Sequence, residues 1–258
     1  MVKFLRSGGH KMLYPDFFND VFGPIMQPGS SGSFAGTSRV GRIARHTLRS
    51  APRRVRILFN PSELRMKSLG NMMDDRGYLG GLLDLSTDDP HLFDAHQLAR
   101  AAGISYEFAD LSEDSPYPGA VTFELIGVDG DSAVCAASSI GGGMVRTSVI
   151  DGFPISWQAD TFAALIWDDE LRSASVNKAV HDIEEEFQST VVEITHVTDH
   201  ERTGAFVEFE KNPNHGQIES VIGDAYRDVP GESLPQVRFF PALLPVVTIR
   251  NRKPQLFR

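Results

Sequence analysis

Cysteine is nearly absent: Cys135 is the only one in 258 residues. A single thiol excludes an internal disulfide framework and cannot supply the thiolates of an iron–sulfur cluster. A reducing cytoplasm is the setting that fits. An excess of positive charge is also lacking. Lys and Arg total 25 against 34 Asp and Glu, a formal net charge of −9. Nucleic-acid binding as the main task is thereby disfavoured. No apolar run reaches the roughly 18 residues of a membrane-spanning helix. The opening MVKFLRSGGHKM has no apolar core of the kind a signal peptide carries. Fixed-period repeats and low-complexity tracts are missing too. What remains is the composition of a soluble globular protein, 41% hydrophobic and 23% charged. The length suits one or two domains of about 100–200 residues each.

Residues 1–16 read as an N-terminal arm, and 17–26 as an apolar segment broken by Gly23-Pro24. A turn-rich stretch, 27–38, leads into RVGRIARHTLRSA (39–51). There Val40, Ile43, Ala44, Thr47 and Leu48 recur at helical spacing, with Arg39, Arg42, Arg45 and Arg49 largely on other faces. Alternation predicts a strand at 53–60, a helix at 91–103 closed by Gly103, a strand at 104–110 and a hairpin across 121–140. A composition change near 156–160 marks a boundary. Beyond it the pattern predicts strand (161–167), helix (172–187), strands (190–198 and 203–210), helix (214–227) and strand (236–240). That βαββαβ order is ferredoxin-like. The expected fold class is therefore α/β (α+β), in two domains, 17–155 and 156–242, followed by a basic tail at 243–258.

The segment GPIMQPGSSGSFAGTSRVGRIA carries the chemistry. A Ser- and Gly-rich loop opening onto a helix gathers backbone N–H groups at the positive end of the helix dipole. Ser30, Ser31 and Ser33 add hydroxyls, and Arg39 or Arg42 a full charge. Such a site suits a carboxylate, a phosphate or an amino-acid headgroup; an ordinary serine helix cap gives the same pattern. Gly141-Gly142-Gly143 fits either a close backbone approach to a ligand or a turn between strands. The acidic runs Asp168-Asp169-Glu170 and Glu184-Glu185-Glu186 read as solvated faces. His91 and His96 are five apart, a poor match to helical metal ligands, and His196, His200 and His215 complete no coordination sphere. Cys135, in an alternating strand, reads as a buried, inert thiol.

Residues 17–155 resemble the beta chain of iron–sulfur-dependent L-serine dehydratase (L-serine ammonia-lyase). The family pattern GPxxxGPSSSHTAGxxRxGxxA is matched by Gly23-Pro24, Ser30-Ser31, Ala35-Gly36, Arg39, Gly41 and Ala44. LGGLLDL (79–85), VTFELIGVDG and SSIGGGMVRTSVIDGF (138–153) follow in register. The resemblance implies an α/β domain that docks on a cysteine-bearing alpha subunit holding a [4Fe–4S] cluster, with no metal held by this chain. The candidate catalytic residues are Ser30, Ser31 and Ser33. The resemblance implies substrate or anion binding by Gly32, Phe34, Ala35, Gly36, Arg39, Asp75, Arg76, Gly141 and Gly142. The implied reaction converts L-serine, or a related β-hydroxy amino acid, to a 2-oxo acid and ammonia. The second half is similar in element order to the ACT regulatory domain, with a small amino-acid effector, although Asp168–Leu171 lacks that domain's usual Pro-Gly. The expected assembly is a hetero-oligomer or a homodimer, with neither nucleic acid nor membrane as partner.

Two departures bear on function. The family's Ser-His-Thr reads Gly32-Ser33-Phe34 here, and its GHGTDR loop reads NMMDDR (71–76), so two imidazoles are replaced while Asp75 and Arg76 stay. Met72 cannot carry a proton, and Ser33 is too weak an acid or base to replace a histidine without an activating neighbour. The alternatives are a non-catalytic binding or regulatory subunit that tunes a partner enzyme, or a free-standing enzyme using Ser30, Ser31, Ser33 and Asp75, for which no base–nucleophile pair is visible.

Overall fold

A computed structural model describes residues 25–169, 173–188, 190–199, 201–226 and 235–243. The expected arm, most of the 17–26 segment, His200 and the tail beyond Leu243 lie outside them. The first helix begins eight residues earlier than its apolar spacing predicts. Ser31–Ala35 form a π-helical turn that runs directly into α1, Gly36–Thr47. Val40, Ile43 and Ala44 bury one side of α1 almost completely, as their spacing requires.

The chain continues with β1 (Pro52–Phe59), a 3₁₀ turn, α2 (Arg65–Ser68), α3 (Asp74–Leu82), a second 3₁₀ turn (Pro90–Asp94), α4 (Ala95–Ala101) and β2 (Ser105–Asp110). These helices form the crossover that lets β2 lie parallel to β1. Then come β3 (Val121–Gly127), β4 (Ser132–Gly141), β5 (Met144–Ile150) and β6 (Phe153–Trp157), joined by short turns and therefore antiparallel. The sheet order is β2-β1-β3-β4-β5-β6. Helices α1 and α3 pack against each other, and α1 lies over β4 and β5.

The second sheet is built from β7 (Phe162–Asp168), α5 (Ser173–Glu186), β8 (Val191–Thr198), β9 (Thr203–Phe209), α6 (His215–Tyr226) and β10 (Gln236–Phe240). Its order is β10-β7-β9-β8, with every neighbour antiparallel. Central strand β7 is apolar on both faces, and each face has a partner. Ala164 and Ile166 pack with Val176, Ala179, Val180 and Ile183 of α5 and Ile218 and Ile222 of α6. Ala163, Leu165 and Trp167 join the core that runs through the first sheet. The fold class is mixed α/β with two sheets, as the patterning predicts. Asp168 departs from expectation. It is buried, and its carboxylate accepts a hydrogen bond from the Ser175 hydroxyl at 2.7 Å, so it ties β7 to α5 rather than forming a solvated face. Glu184, Glu185 and Glu186 are exposed. Among the described residues no helix is long and apolar enough to cross a membrane.

Candidate functional site

Ser30 is the N-cap of the π-helical turn. Its Oγ accepts from the Ser33 amide at 3.1 Å. The Phe34 and Ala35 amides both donate to the Ser30 carbonyl, and that of Gly36 to the carbonyl of Ser31. The expected convergence of amides over 30–38 is therefore corrected. Ser33, Phe34, Ala35 and Gly36 spend their N–H groups inside the turn, which leaves those of Ser31 and Gly32 at its front. The cap also commits the Ser30 hydroxyl. Phe34 and Ala35 are buried, with the Phe34 ring 5.5 Å from that of Phe93, so neither side chain is offered to a ligand. Arg39 is corrected too. It is 2% exposed and donates from Nη1 to the Gly143 carbonyl at 2.5 Å. Burial, with Arg42 adding repulsion, pushes its guanidinium down to about 10. Its charge secures the β4–β5 tip.

Three segments far apart in sequence adjoin at this helix start. From the β4–β5 side, Ser139 Oγ donates to the Gly32 carbonyl at 2.9 Å, and a Cβ on Gly36 would fall 2.1 Å from that same oxygen. From the α3 side, Gly77 closes on Thr37 and the Phe34 carbonyl so tightly that a Cβ would meet Thr37 Oγ1 at 1.9 Å. A Cβ on Gly29 would lie 3.0 Å from the Met73 methyl. Gly141 and Gly142 have φ of +97° and +62°, and a Cβ on either would meet nothing within 4 Å. Their glycine character serves the turn. Met72 is exposed, and Arg76 is half-buried with no ion pair among the described residues.

Asp75 lies in the first turn of α3, where an acidic residue complements the helix dipole. Its Oδ2 is 2.6 Å from Nε2 of His96 on α4. The other ring nitrogen, Nδ1, is 2.8 Å from the Tyr106 hydroxyl on β2, and Arg100 Nη1 donates to that hydroxyl at 3.4 Å. Oδ1 of Asp75 is buried without a hydrogen-bond partner among the described residues. Spacing along the chain misses this group, because His96 meets Asp75 from another helix, 21 residues away. Cys135 is fully buried in β4, and burial raises its thiol to about 12. Among the described residues no three His, Cys, Asp or Glu form a metal-binding group. A cleft of about 930 Å³ opens elsewhere, lined by Arg54, Arg56, Glu124, Asp151, Arg202 and Arg238. Two ion pairs, Arg56–Glu124 and Arg238–Asp151, form part of its lining.

The fold and this corner define a two-sheet α/β protein in which a serine-capped helix start, a polar α3 start and a glycine hairpin tip adjoin. No family model matches the chain. A Bacillus subtilis (strain 168) protein named "Probable L-serine dehydratase, beta chain" is 31% identical over 156 residues, 60% of this chain and 69% of that one. The "L-serine dehydratase, beta chain" of Peptoniphilus asaccharolyticus is 28% identical over 149 residues, 57% of this chain and 66% of the other. The chain belongs to the L-serine dehydratase beta-chain family.

Proposed function

We propose that this chain is the beta subunit of an iron–sulfur-dependent ammonia-lyase. With a cysteine-bearing alpha subunit, it converts L-serine or a related β-hydroxy amino acid to a 2-oxo acid and ammonia. The observation that carries the reading is the meeting of the three family-like segments, 30–39, 72–77 and 138–143, at one helix start. The residues present do not fit a cluster, since Cys135 is single and fully buried. The cluster is therefore a partner's, and the chemistry of this chain is binding. The Ser31 and Gly32 amides, with the helix dipole behind them, receive the substrate carboxylate, and Arg76 adds positive charge beside it. The βαββαβ unit, 156–242, serves as an ACT-like module for a small amino-acid effector, in a hetero-oligomer working in the cytoplasm.

The test is the purified pair, assayed anaerobically for serine-dependent pyruvate release. Gly32→Pro deletes one amide donor, and proline is tolerated in the first turn of a helix. A Cβ at Gly32 meets nothing within 4 Å. A lost hydrogen bond to a charged group, about 1.5–3 kcal/mol, predicts a KM roughly 10- to 100-fold higher with unchanged thermal stability. An unaltered KM rejects the amide receptor. One observation favours the regulatory reading: the positions where the family pattern carries imidazoles hold Ser33 and exposed Met72. Full activity of the alpha subunit without this chain would select it.

A further inference from the structure

We propose that Asp75, His96 and Tyr106 form a proton relay, with the Tyr106 hydroxyl as the acid–base group of the amino-acid site. The inference rests on the reading above and supplies the proton carrier that Ser33 and Met72 cannot. The three residues come from α3, α4 and β2, and their contacts are short, 2.6 Å for Asp75–His96 and 2.8 Å for His96–Tyr106. A carboxylate accepts only, so Nε2 carries the ring proton and donates to Asp75 Oδ2. Nδ1 is then left to accept from the Tyr106 hydroxyl. This is the nucleophile–base–orienter geometry that activates a hydroxyl.

Two further observations separate a relay from a structural latch. Arg100 Nη1 also donates to the Tyr106 oxygen, placing a cation where negative charge would develop. Among the described residues Asp75 Oδ1 is buried with no hydrogen-bond partner. A latch gains nothing from a carboxylate with one oxygen orphaned, whereas the negative charge of that carboxylate stabilises an imidazolium. Neither end is sealed, since His96 and Tyr106 are both partly exposed. The group is linked to the proposed site through α3, whose Gly77 closes on Thr37, and through the turn that precedes α4. Asp75 lies within the segment, 71–76, that replaces the family's polar loop, and Phe93, three residues before His96, packs on Phe34.

In the step, the Tyr106 proton moves to His96 Nδ1 as the phenolic oxygen takes the substrate's α-proton. The Cα–H electron pair becomes the Cα=Cβ bond as the Cβ–O bond breaks. The departing hydroxide then takes a proton back from the relay, leaving as water, and the relay returns to its starting state. Tyr106 is the catalytic residue; His96 and Asp75 are positioning residues acting through it.

The experiment compares wild type, His96→Gln, His96→Ala and Tyr106→Phe, each as the full chain with its alpha partner. Glutamine retains a donor toward Asp75 but cannot carry a proton. Serine α-proton exchange in D2O and kcat are expected to fall 100-fold or more in His96→Gln and Tyr106→Phe, with KM within about twofold. If His96→Gln keeps full exchange while His96→Ala melts earlier, the residue is a latch and the relay is overturned. A second readout needs no activity. Long-range ¹⁵N NMR of the purified chain should show His96 as the Nε2–H tautomer, with Nδ1 shifting in Tyr106→Phe; a proton on Nδ1 overturns the relay. A wild-type pair inert toward serine refutes the proposed function, and the tautomer then decides the relay by itself.

Discussion

Asp84 shows how much a single side chain can tie together. It follows α3 in a left-handed conformation, φ +60°, and its Oδ1 accepts from Arg42 Nε at 2.9 Å and lies 3.0 Å from His46 Nε2. Those bonds, that to His46 first, hold its carboxyl well below the usual carboxylate range despite partial burial. A depressed folded value means that the stabilisation is present above the unfolded pKa, about 3.9. It is lost as pH falls further and the folded carboxylate takes its proton. The side chain is 45% exposed, so solvent screens the gain. Asp84→Asn, which tolerates the backbone conformation, should cost about 0.5–1 kcal/mol at pH 7 in urea unfolding. The gap from wild type should close below about pH 3; a constant gap across pH would refute the electrostatic account. Other single-residue roles were hidden for a common reason. The helical stripe places Arg39 away from the core, yet its acceptor, Gly143, is 104 residues away on a hairpin tip. In the sequence His96 offers only a poor metal-ligand spacing to His91, because its partners Asp75 and Tyr106 lie on other elements. Local spacing reports which face a residue takes, not what meets it there.

Elements were more legible. The 3–4 spacing of Val176, Ala179, Val180 and Ile183 marks the helix that buries one face, and short apolar runs bounded by turns mark the strands, β7 and β9 being buried on both faces, all to within a residue or two. The π-helical turn is not legible because Ser-Gly-Ser reads as loop; its bonds to Ser30 are local, but Ser139 and Gly77 pack on it from distant elements. The α1–α3 crossing also depends on side chains that are absent. A Cβ on Gly81 would lie 2.1 Å from the Ser38 carbonyl oxygen and 2.6 Å from the Arg42 nitrogen, and one on Gly41 2.3 Å from the Tyr78 carbonyl oxygen. These are backbone atoms and cannot swing aside. Helix propensity alone favours alanine by about 1 kcal/mol, but Gly81→Ala must push two helices apart. A net loss of about 2–3 kcal/mol is expected in thermal unfolding. Gly223 in α6, where a Cβ would meet nothing within 4 Å, is the control. Gly223→Ala should stabilise by up to about 1 kcal/mol. If both variants gained stability, the close crossing would be disproved.

At the scale of the whole molecule, the boundary suggested near 156–160 divides two sheets that share a core. Trp157 packs on Phe206 and Phe240, and Leu165 and Trp167 belong to the cluster that includes Cys135 and Ile150. A buried cation helps to bolt the sheets together. Arg238 on β10 is 8% exposed and donates to the Thr47 carbonyl at 2.6 Å and the Ser132 carbonyl at 2.9 Å. Its Nε lies 2.5 Å from Asp151 Oδ2, and Asp131 is 3.2 Å from Nη1. Burial raises the Asp151 carboxyl above its ordinary range even with Arg238 and Arg202 pulling it down. Arg238→Met would strand a buried carboxylate and orphan two carbonyls, a loss of about 3–5 kcal/mol. The sign with pH is fixed. Without Arg238 the folded pKa of Asp151 rises further, so the folded state holds a proton that the unfolded chain has released. The variant therefore loses stability as pH climbs through that folded value, and its deficit is smaller at pH 5 than at pH 7. Asp151→Asn added to Arg238→Met removes the stranded charge and should restore part of the loss and abolish the pH difference. Urea unfolding followed by tryptophan fluorescence measures all three proteins, since Trp157 and Trp167 both sit in the shared core. An Arg238→Met midpoint equal to wild type, or a double variant no better than the single one, would mean that the sheets are held by apolar packing alone.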